Sequence, residues 1–163
     1  MATGKKIIRY SLLIMAVMSV AACQSDILYS EYINFEKSGW NQNQTARFAA
    51  EITDTLSAAS VDIALRTGSD YPYRNIYLFV STYAPGGMRI TDTLEYMIAD
   101  EKGNRFGKGA GNLRELDLKY RTNVYFPTAG TYLFVIEHAM RKETLEGIYD
   151  IGVKIRKEKV KRE

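Results

Sequence analysis

Cys23 is the only cysteine among the 163 residues of the chain. A lone thiol is most often a small buried hydrophobe, but a thiolate is also a nucleophile that can accept a covalent group. Ala21 and Ala22 precede it directly and are small enough for a narrow peptidase site that has to hold both a peptide bond and a modified thiol. The residue types around Cys23 therefore predict covalent modification, and without a second cysteine no disulfide can form within the chain.

The 22 residues before Cys23 have the pattern of a secretory leader. Residues 1–9 carry three basic side chains and no acid, and residues 12–18 are entirely apolar. This apolar run is too short to cross a membrane, which takes about 20 residues. The tetrapeptide VAAC at 20–23 resembles a bacterial lipobox, and the resemblance implies a diacylglycerol on Cys23, cleavage before it and acylation of the new amine. Two or three acyl chains anchor a protein stably, whereas one chain binds reversibly.

The 141 residues from Cys23 onward suit one domain with its own core. The leader holds three of the 22 basic residues and none of the 19 acidic ones, so the mature chain carries no net charge. The last ten residues are basic, but a solvated terminus explains such a run more often than a nucleic-acid site, and we expect no nucleic-acid partner. The predicted organisation is a signal peptide at 1–22, a lipidated N-terminus and short tether at 23–30, a β-sandwich domain at 31–155 and a basic tail at 156–163.

Hydrophobic periodicity predicts strands along most of the mature chain. Residues 61–67 and 148–157 alternate apolar and polar side chains, and we expect both to be outer, half-exposed strands. Residues 75–83 and 131–140 are apolar on both faces for most of their length, which predicts central strands. Further elements are expected at about 46–57, 92–99 and 116–126 as strands, and at 100–112 as an exposed glycine-rich loop.

The fold class that follows from this pattern is all-β. Seven or so short strands, separated by turns rich in Gly, Pro, Asn and Asp, predict a single antiparallel β-sandwich, jelly-roll-like or immunoglobulin-like, after the lipoprotein signal peptide. The 12 tyrosines favour strands, and only three prolines interrupt them. A βαβ architecture would need crossover helices, for which the sequence gives no signal.

The chain offers little for catalysis. His138 is the only histidine, and it lies in an apolar strand pattern that predicts a satisfied core or edge residue. One histidine and one acylated cysteine cannot form a His-rich metal site or a Cys/His dyad, and no nucleophile motif surrounds a serine. GKGAGN at 107–112 lacks the Gly-Lys-Ser/Thr ending of a phosphate-binding loop. We therefore expect no enzyme activity, no metal and no cofactor; a hydrolase would have to rely on His138 or on a pair of carboxylates.

The strongest candidate for a binding surface is a segment rich in Tyr and Arg. Residues 65–80 bring aromatic, guanidinium and amide groups to a junction of strand, turn and strand. Such groups can stack on sugars or dock a protein, although they can equally stabilise the turn itself. The candidate partner-binding or ligand-binding residues are Arg66, Tyr71, Tyr73, Asn75 and Arg141.

Together with the lipobox, four sequence blocks resemble the gliding-motility lipoprotein family GldH of the Bacteroidetes. The blocks are SGWNQNQTARF, LRTGSDYPYRNIYLFV, DTLEYMIADEKGNRFGKGAG and AGTYLFVIEHAMRKETLEGIYDIGVKI. Their order and spacing extend the resemblance over nearly the whole mature chain. The resemblance implies an envelope lipoprotein connected with gliding motility, a system linked to the type IX secretion apparatus, and it implies no known catalysis or cofactor.

Two functions are therefore expected from the sequence. The first is a lipid-anchored, non-catalytic structural or partner-binding component, whose partners are the membrane, through the lipid on Cys23, and other envelope or gliding-machinery proteins. The alternative is a surface lipoprotein that binds a glycan through the Tyr/Arg-rich patch. Gln24 stands where an aspartate would favour retention in the inner membrane, so we expect the outer membrane. No acidic cluster follows Cys23 directly, which favours the periplasmic face of the outer membrane over the cell surface.

Overall fold

The computed structural model describes residues 26–35 and 39–158. Ten strands lie within these residues, and no helix long and apolar enough to cross a membrane occurs among them. Cys23, the leader and the last five residues lie outside the described residues. The strands are β1 (Ile27–Asn34), β2 (Trp40–Asn41), β3 (Ala46–Ile52), β4 (Ala59–Thr67), β5 (Asn75–Tyr83), β6 (Arg89–Met97), β7 (Arg114–Val124), β8 (Gly130–His138), β9 (Thr144–Leu145) and β10 (Ile148–Lys157).

The strands form two four-stranded sheets and one small ribbon. Sheet 1 has the order β1-β10-β4-β7, sheet 2 has the order β3-β8-β5-β6, and β2 pairs with β9. Every pair is antiparallel. The predicted all-β antiparallel sandwich is confirmed.

The core lies between the two sheets and follows from the alternation of apolar residues. In β4, Val61, Ile63 and Leu65 point inward, and on the facing sheet Phe48 and Phe134 do the same. The inner faces of both sheets lose water on folding. This burial stabilises the fold by about 25 cal/mol for each Å² of apolar surface. The predicted central strands at 75–83 and 131–140 correspond to β5 and β8, which occupy the middle of sheet 2.

The expectation of outer, half-exposed strands at 61–67 and 148–157 is wrong. β4 lies between β10 and β7, and β10 lies between β1 and β4, so both are central in sheet 1. The polar residues that alternate along them are not solvated singly but pair with one another across the sheet; Asp62, for example, is buried and accepts from Arg156. Period-two alternation identifies the faces of a strand, and it does not tell how many neighbours the strand has.

The ordered domain is longer than expected at both ends. β1 begins at Ile27, within the stretch predicted as tether, because its backbone pairs with β10 along residues 27–34. β10 continues to Lys157, within the predicted basic tail, because Arg156 and Lys157 have acidic partners on neighbouring segments: Asp117 at 2.7 Å from Arg156 and Asp54 at 2.9 Å from Lys157. The strand predicted at 148–157 thus matches β10, although the domain was expected to end at 155, whereas β1, held by its ladder to β10, was not predicted as a strand.

Both ends of the described chain lie at the same end of the sandwich. The Lys157 amide donates to the Asp26 carbonyl at 2.7 Å, and the Glu158 amide donates to the Ala58 carbonyl at 2.8 Å. We call this the terminal end; it also carries the loops at 53–58, 84–88 and 125–129. The opposite, distal end carries the loops at 68–74, 98–113 and 139–147.

A tyrosine from the edge strand covers the outer face of sheet 1. Tyr32 of β1 stands opposite Gly152 of β10, and Gly152 stands opposite Ala64 of β4. Two small residues in register leave a shallow depression in which the Tyr32 ring lies, and its hydroxyl donates to Glu115 of β7 at 2.8 Å. Ala64 is thereby fully buried although it points away from the core.

His138 lies in the core at the distal end of β8. Its ring meets the Trp40 indole edge to face, with centroids 5.3 Å apart. Neither ring nitrogen makes a hydrogen bond, although backbone groups of Trp40 and Glu143 lie close enough to offset part of the effect of burial. The predicted core position is confirmed, but the expected hydrogen bond is absent. Burial lowers the pKa of His138 because it disfavours the charged ring.

Replacing Gly152 by alanine should destabilise the protein. The new Cβ would lie 2.6 Å from the Glu31 carbonyl oxygen and 2.8 Å from Cδ1 of Tyr32, so β1 would have to move. Overpacking of this kind costs about 1–3 kcal/mol of unfolding free energy, which urea denaturation measures. Ser30→Ala, at an exposed position on the same face of β1, adds no atom and should leave the midpoint unchanged. Equal midpoints for the two variants would contradict the packing of Tyr32 on Gly152.

The stability of the protein should fall between about pH 7 and pH 5.5 because of His138. In this window the unfolded chain binds a proton at the imidazole, whereas the folded chain, with its lowered pKa, does not. The loss of unfolding free energy is at most about 1.4 kcal/mol at pH 5.5. This limit applies when the imidazole has a pKa near 6.5 in the unfolded chain and stays neutral in the folded one. His138 is the only histidine, and unfolded carboxyl groups titrate near pH 4, below the window.

The measurement is the urea midpoint at both pH values for the wild type and for His138→Leu. The variant should lose less stability than the wild type on acidification. An identical loss in the two proteins would show that another group titrates.

Candidate functional site

A groove at the distal end is the best candidate for a binding site. It is lined by Tyr73, Tyr77, Ala139, Met140, Arg141 and Lys142 and has a volume of about 460 Å³. The segment after β8 forms one wall, because the Ala139 amide donates to the Tyr77 carbonyl at 2.8 Å and the Met140 sulfur accepts from the Tyr77 amide at 3.3 Å. A backbone hydrogen bond and the Met140 side chain, which also packs against the core, therefore fix this wall. We call the six residues the distal groove.

The outer face of sheet 2 extends the distal groove with apolar side chains. Tyr77 and Phe79 alternate with the core residues of β5 and point outward, with 37% and 43% of their surfaces exposed. Met97, at the end of the neighbouring strand β6, is also exposed. On the same face, Asn75 donates to Glu95 at 2.7 Å, and a hydrogen bond to Glu95 raises the pKa of Tyr77. The result is an exposed aromatic surface beside the groove.

Tyr71 is a buried anchor of the loop that carries Tyr73. Its hydroxyl donates to the Asn75 carbonyl at 2.8 Å, and its ring meets Tyr73 edge to face at 5.6 Å. Burial raises the pKa of Tyr71. Gly147 permits this arrangement, since it has a φ of +76° and a Cβ there would lie 2.2 Å from the Tyr71 nitrogen. Tyr71 therefore positions Tyr73 and is itself hidden from a ligand.

Of the five predicted residues, the structure brings Tyr73 and Arg141 together in the distal groove. Asn75 lies on the adjacent outer face of sheet 2 and is bonded to Glu95. Arg66 does not join them, because it points outward from sheet 1, on the opposite side of the sandwich.

Arg66 belongs to a network of charges that covers the outer face of sheet 1. It donates to Glu115 at 3.2 Å and lies 3.6 Å from Asp150, and its guanidinium stacks over the Tyr32 ring at 4.7 Å. Lys154, whose side chain is only 12% exposed, donates to Glu115 at 2.8 Å and to Asp117 at 2.7 Å. Two cations and three acids from three strands thus satisfy one another.

The electrostatic consequence is strongest at Glu115 and Lys154. The hydrogen bond from Lys154, supported by those from Tyr32 and Arg66, lowers the pKa of Glu115 to about 2. Burial alone would lower the pKa of Lys154, but its bonds to Asp117 and Glu115 raise it above the usual range. Both groups therefore keep their charges at any physiological pH. A surface whose charges are already paired has little to offer a charged partner.

The geometry gives no support to the hydrolase that the sequence left open. His138 is buried against Trp40, and its nitrogens face no carboxylate or hydroxyl within hydrogen-bonding distance. Within residues 26–35 and 39–158, no three His, Cys, Asp or Glu side chains are grouped to hold a metal ion. The glycine-rich loop at 100–112 is exposed as expected, and the Lys108 amide is used in a bridge to the Glu115 carbonyl at 2.8 Å.

Tyr77 and Met140 are members of the distal groove that the sequence interpretation missed. Residues 75–83 were expected to be buried on both faces, yet one face of β5 is exposed. The alternation of Ile76, Leu78 and Val80 with larger aromatic residues was a usable signal. It was hidden because aromatic side chains count as apolar whether they face the core or a partner.

The fold has distant likenesses among solved structures. The VP2 subviral particle of infectious bursal disease virus is similar with a TM-score of 0.33 and 18% identity, covering 78% of this chain and 29% of the viral chain. VP2 of the Gx strain gives a TM-score of 0.32 and 16% identity over the same shares. This chain thus spans less than a third of these viral chains, and likenesses of this size carry no information on function.

Sequence relatives are much more informative. The model of the family described as GldH lipoprotein matches residues 27–155. A gliding motility lipoprotein GldH homolog of Christiangramia forsetii is 32% identical over 151 residues, which cover 88% of this chain and 92% of the relative. The gliding motility lipoprotein GldH of Flavobacterium johnsoniae is 30% identical, with 88% of this chain and 93% of the relative covered. The resemblance noted in the sequence is confirmed: this chain belongs to the GldH lipoprotein family.

Proposed function

We propose that this protein is a lipid-anchored component of the cell envelope with a non-catalytic, partner-binding role in gliding motility. Membership of the GldH lipoprotein family and two relatives named as gliding motility lipoproteins support the connection with motility. The observation that carries the partner-binding role is the distal groove with the exposed aromatic face beside it. The partner is a protein of the envelope machinery.

The anchor is the lipid on Cys23, three residues before the first described residue. Three extended residues span at most about 11 Å, so the terminal end of the sandwich stays close to the membrane. The distal groove is at the opposite end of strands such as β4, whose nine residues extend for about 30 Å. The anchor would lie in the periplasmic face of the outer membrane, and the protein would hold its binding surface away from this bilayer.

The composition of the distal groove suits a protein partner. Tyr, Met and Arg are enriched at protein interfaces, and Tyr and Arg supply most of the residues that dominate binding energy. Tyr73, Tyr77, Met140 and Arg141 provide this set in one concave surface. The outer face of sheet 1 differs, because its charges are paired internally and its aromatic residue Tyr32 lies flat on the sheet.

Alanine at Tyr77 and Arg141 should weaken partner binding without unfolding the protein. Both side chains line the groove, and Tyr77 is partly exposed, so the double variant removes contact surface rather than core. Loss of two such residues lowers affinity by about tenfold or more. The measurement is crosslinking in native envelopes, recovery of the tagged protein and quantification of motility or secretion proteins by mass spectrometry.

Lys119→Ala is the matched control, because Lys119 is exposed on the outer face of sheet 1. Its recovery of partners should equal that of the wild type, and the thermal midpoints of all three proteins should agree. Equal recovery by Y77A/R141A and wild type would refute the role of the groove. Binding of purified protein to envelope glycans, lost in Y77A/R141A while protein recovery is unchanged, would show that the groove takes a sugar instead.

A further inference from the structure

The terminal end of the sandwich exposes apolar side chains at the tips of three separate loops. Leu56 is 89% exposed, Met88 is 61% exposed and Tyr125 is 59% exposed. Ile27 and Ile90, at the starts of β1 and β6, are exposed beside them. Single exposed apolar residues are common on protein surfaces, but three loop tips at one end form a set that requires an explanation.

Two of these loops hold their apolar tips outward by local hydrogen bonds. The Asp54 carboxylate accepts from the Leu56 amide at 3.0 Å and from the Ser57 amide at 2.9 Å, which closes a turn with Leu56 at its tip. In the next loop, the Ala84 amide donates to the Met88 carbonyl at 2.9 Å. The tips are therefore ordered before anything binds, which reduces the entropy lost on contact.

Two acidic groups near the tips are paired with cations. Lys157 donates to Asp54 at 2.9 Å, and Arg121 donates to Asp92 at 2.6 Å. The hydrogen bonds from Ser57 and Lys157 lower the pKa of Asp54, so this pair stays ionised and bonded. Between the tips, an apolar cavity of about 230 Å³ is lined by residues that include Met88, Ile90 and Tyr125. Exposed apolar side chains beside these paired charges suit lipid better than water.

The position of the chain end identifies the occupant. Asp26 lies at the terminal end, where its carbonyl accepts from the Lys157 amide, and the predicted lipid on Cys23 is three residues away. With a reach of at most about 11 Å, the bilayer that holds the anchor is within contact of the loop tips. A protein partner would have to fit between the tips and that bilayer.

We propose that the terminal end is a membrane-contacting surface, at which Leu56, Met88 and Tyr125 enter the interfacial layer of the lipid bilayer. The inference rests on the lipid anchoring stated under the proposed function. Apolar burial drives the contact, so it should depend little on salt, unlike attachment by basic residues. The contact orients the sandwich along the membrane normal and points the distal groove away from the bilayer.

The test uses the acylated protein, purified from envelopes and reconstituted into vesicles of phosphatidylethanolamine with a minor fraction of phosphatidylglycerol. Leu56→Cys and, at the distal end, Phe106→Cys each provide one free thiol for an environment-sensitive fluorophore, because the Cys23 sulfur carries the diacylglycerol. Both positions are exposed, so neither label disturbs the core. At residue 56 we expect the fluorophore emission to shift to the blue and to be quenched by spin-labelled lipids, in low and in high salt. At residue 106 we expect the emission of a fluorophore in water.

Each outcome decides the proposal. If the protein floats with the vesicles but the emission at both residues is that of a fluorophore in water, the membrane contact is overturned and the anchor stands. Equal shifts at residues 56 and 106 would overturn the orientation. Protein that does not float would overturn the anchoring and this contact together. None of these results depends on recovering a protein partner, so failure of the groove to bind is tested separately.

Discussion

Lys154 is the residue on which the surface chemistry of this protein depends. It lies in the middle of sheet 1 and donates to acids of β7, while Arg66 and Arg156 pair with the remaining acids around it. Leaving any of these half-buried charges without its partner would be costly, so the network has to form as a unit. Its formation pairs the charges at the centre of the outer face of sheet 1, and the candidate binding surfaces lie on sheet 2 and at the two ends.

The two ends have different chemistry. The distal groove combines tyrosines, a methionine and an arginine on a wall fixed by a backbone hydrogen bond and by the Met140 side chain. The terminal end presents apolar loop tips beside the start of the chain. The strands of the sandwich connect them, and under the proposed function a lipid anchor at one end would set the height and direction of the proposed binding surface at the other.

Much of the fold was predictable because burial imposes short-range patterns. Strands at 75–83 and 131–140 were recognised as central from their long apolar runs, although the outer face of β5 proved to be exposed. The strand at 148–157 was recognised with the bounds of β10, whereas β1 was not, because its pairing depends on a backbone ladder to residues distant in sequence. The candidate site was half predictable. Tyr73 and Arg141 meet in the groove, but Arg66 points from the other sheet and Tyr71 is buried.

The sequence by itself determined the all-β fold class and the family, because hydrophobic periodicity and motif order are properties of the chain alone. The resemblance of residues 20–23 to a lipobox is likewise recognised from the sequence without any knowledge of the fold. Only the tertiary structure decided which of the polar residues face one another. The residues on one face of a strand follow from its own sequence, whereas its neighbouring strands come from distant parts of the chain. Arg66 therefore pairs with Glu115 rather than with a ligand, and Tyr77, which the sequence had assigned to the core, faces outward beside Arg141.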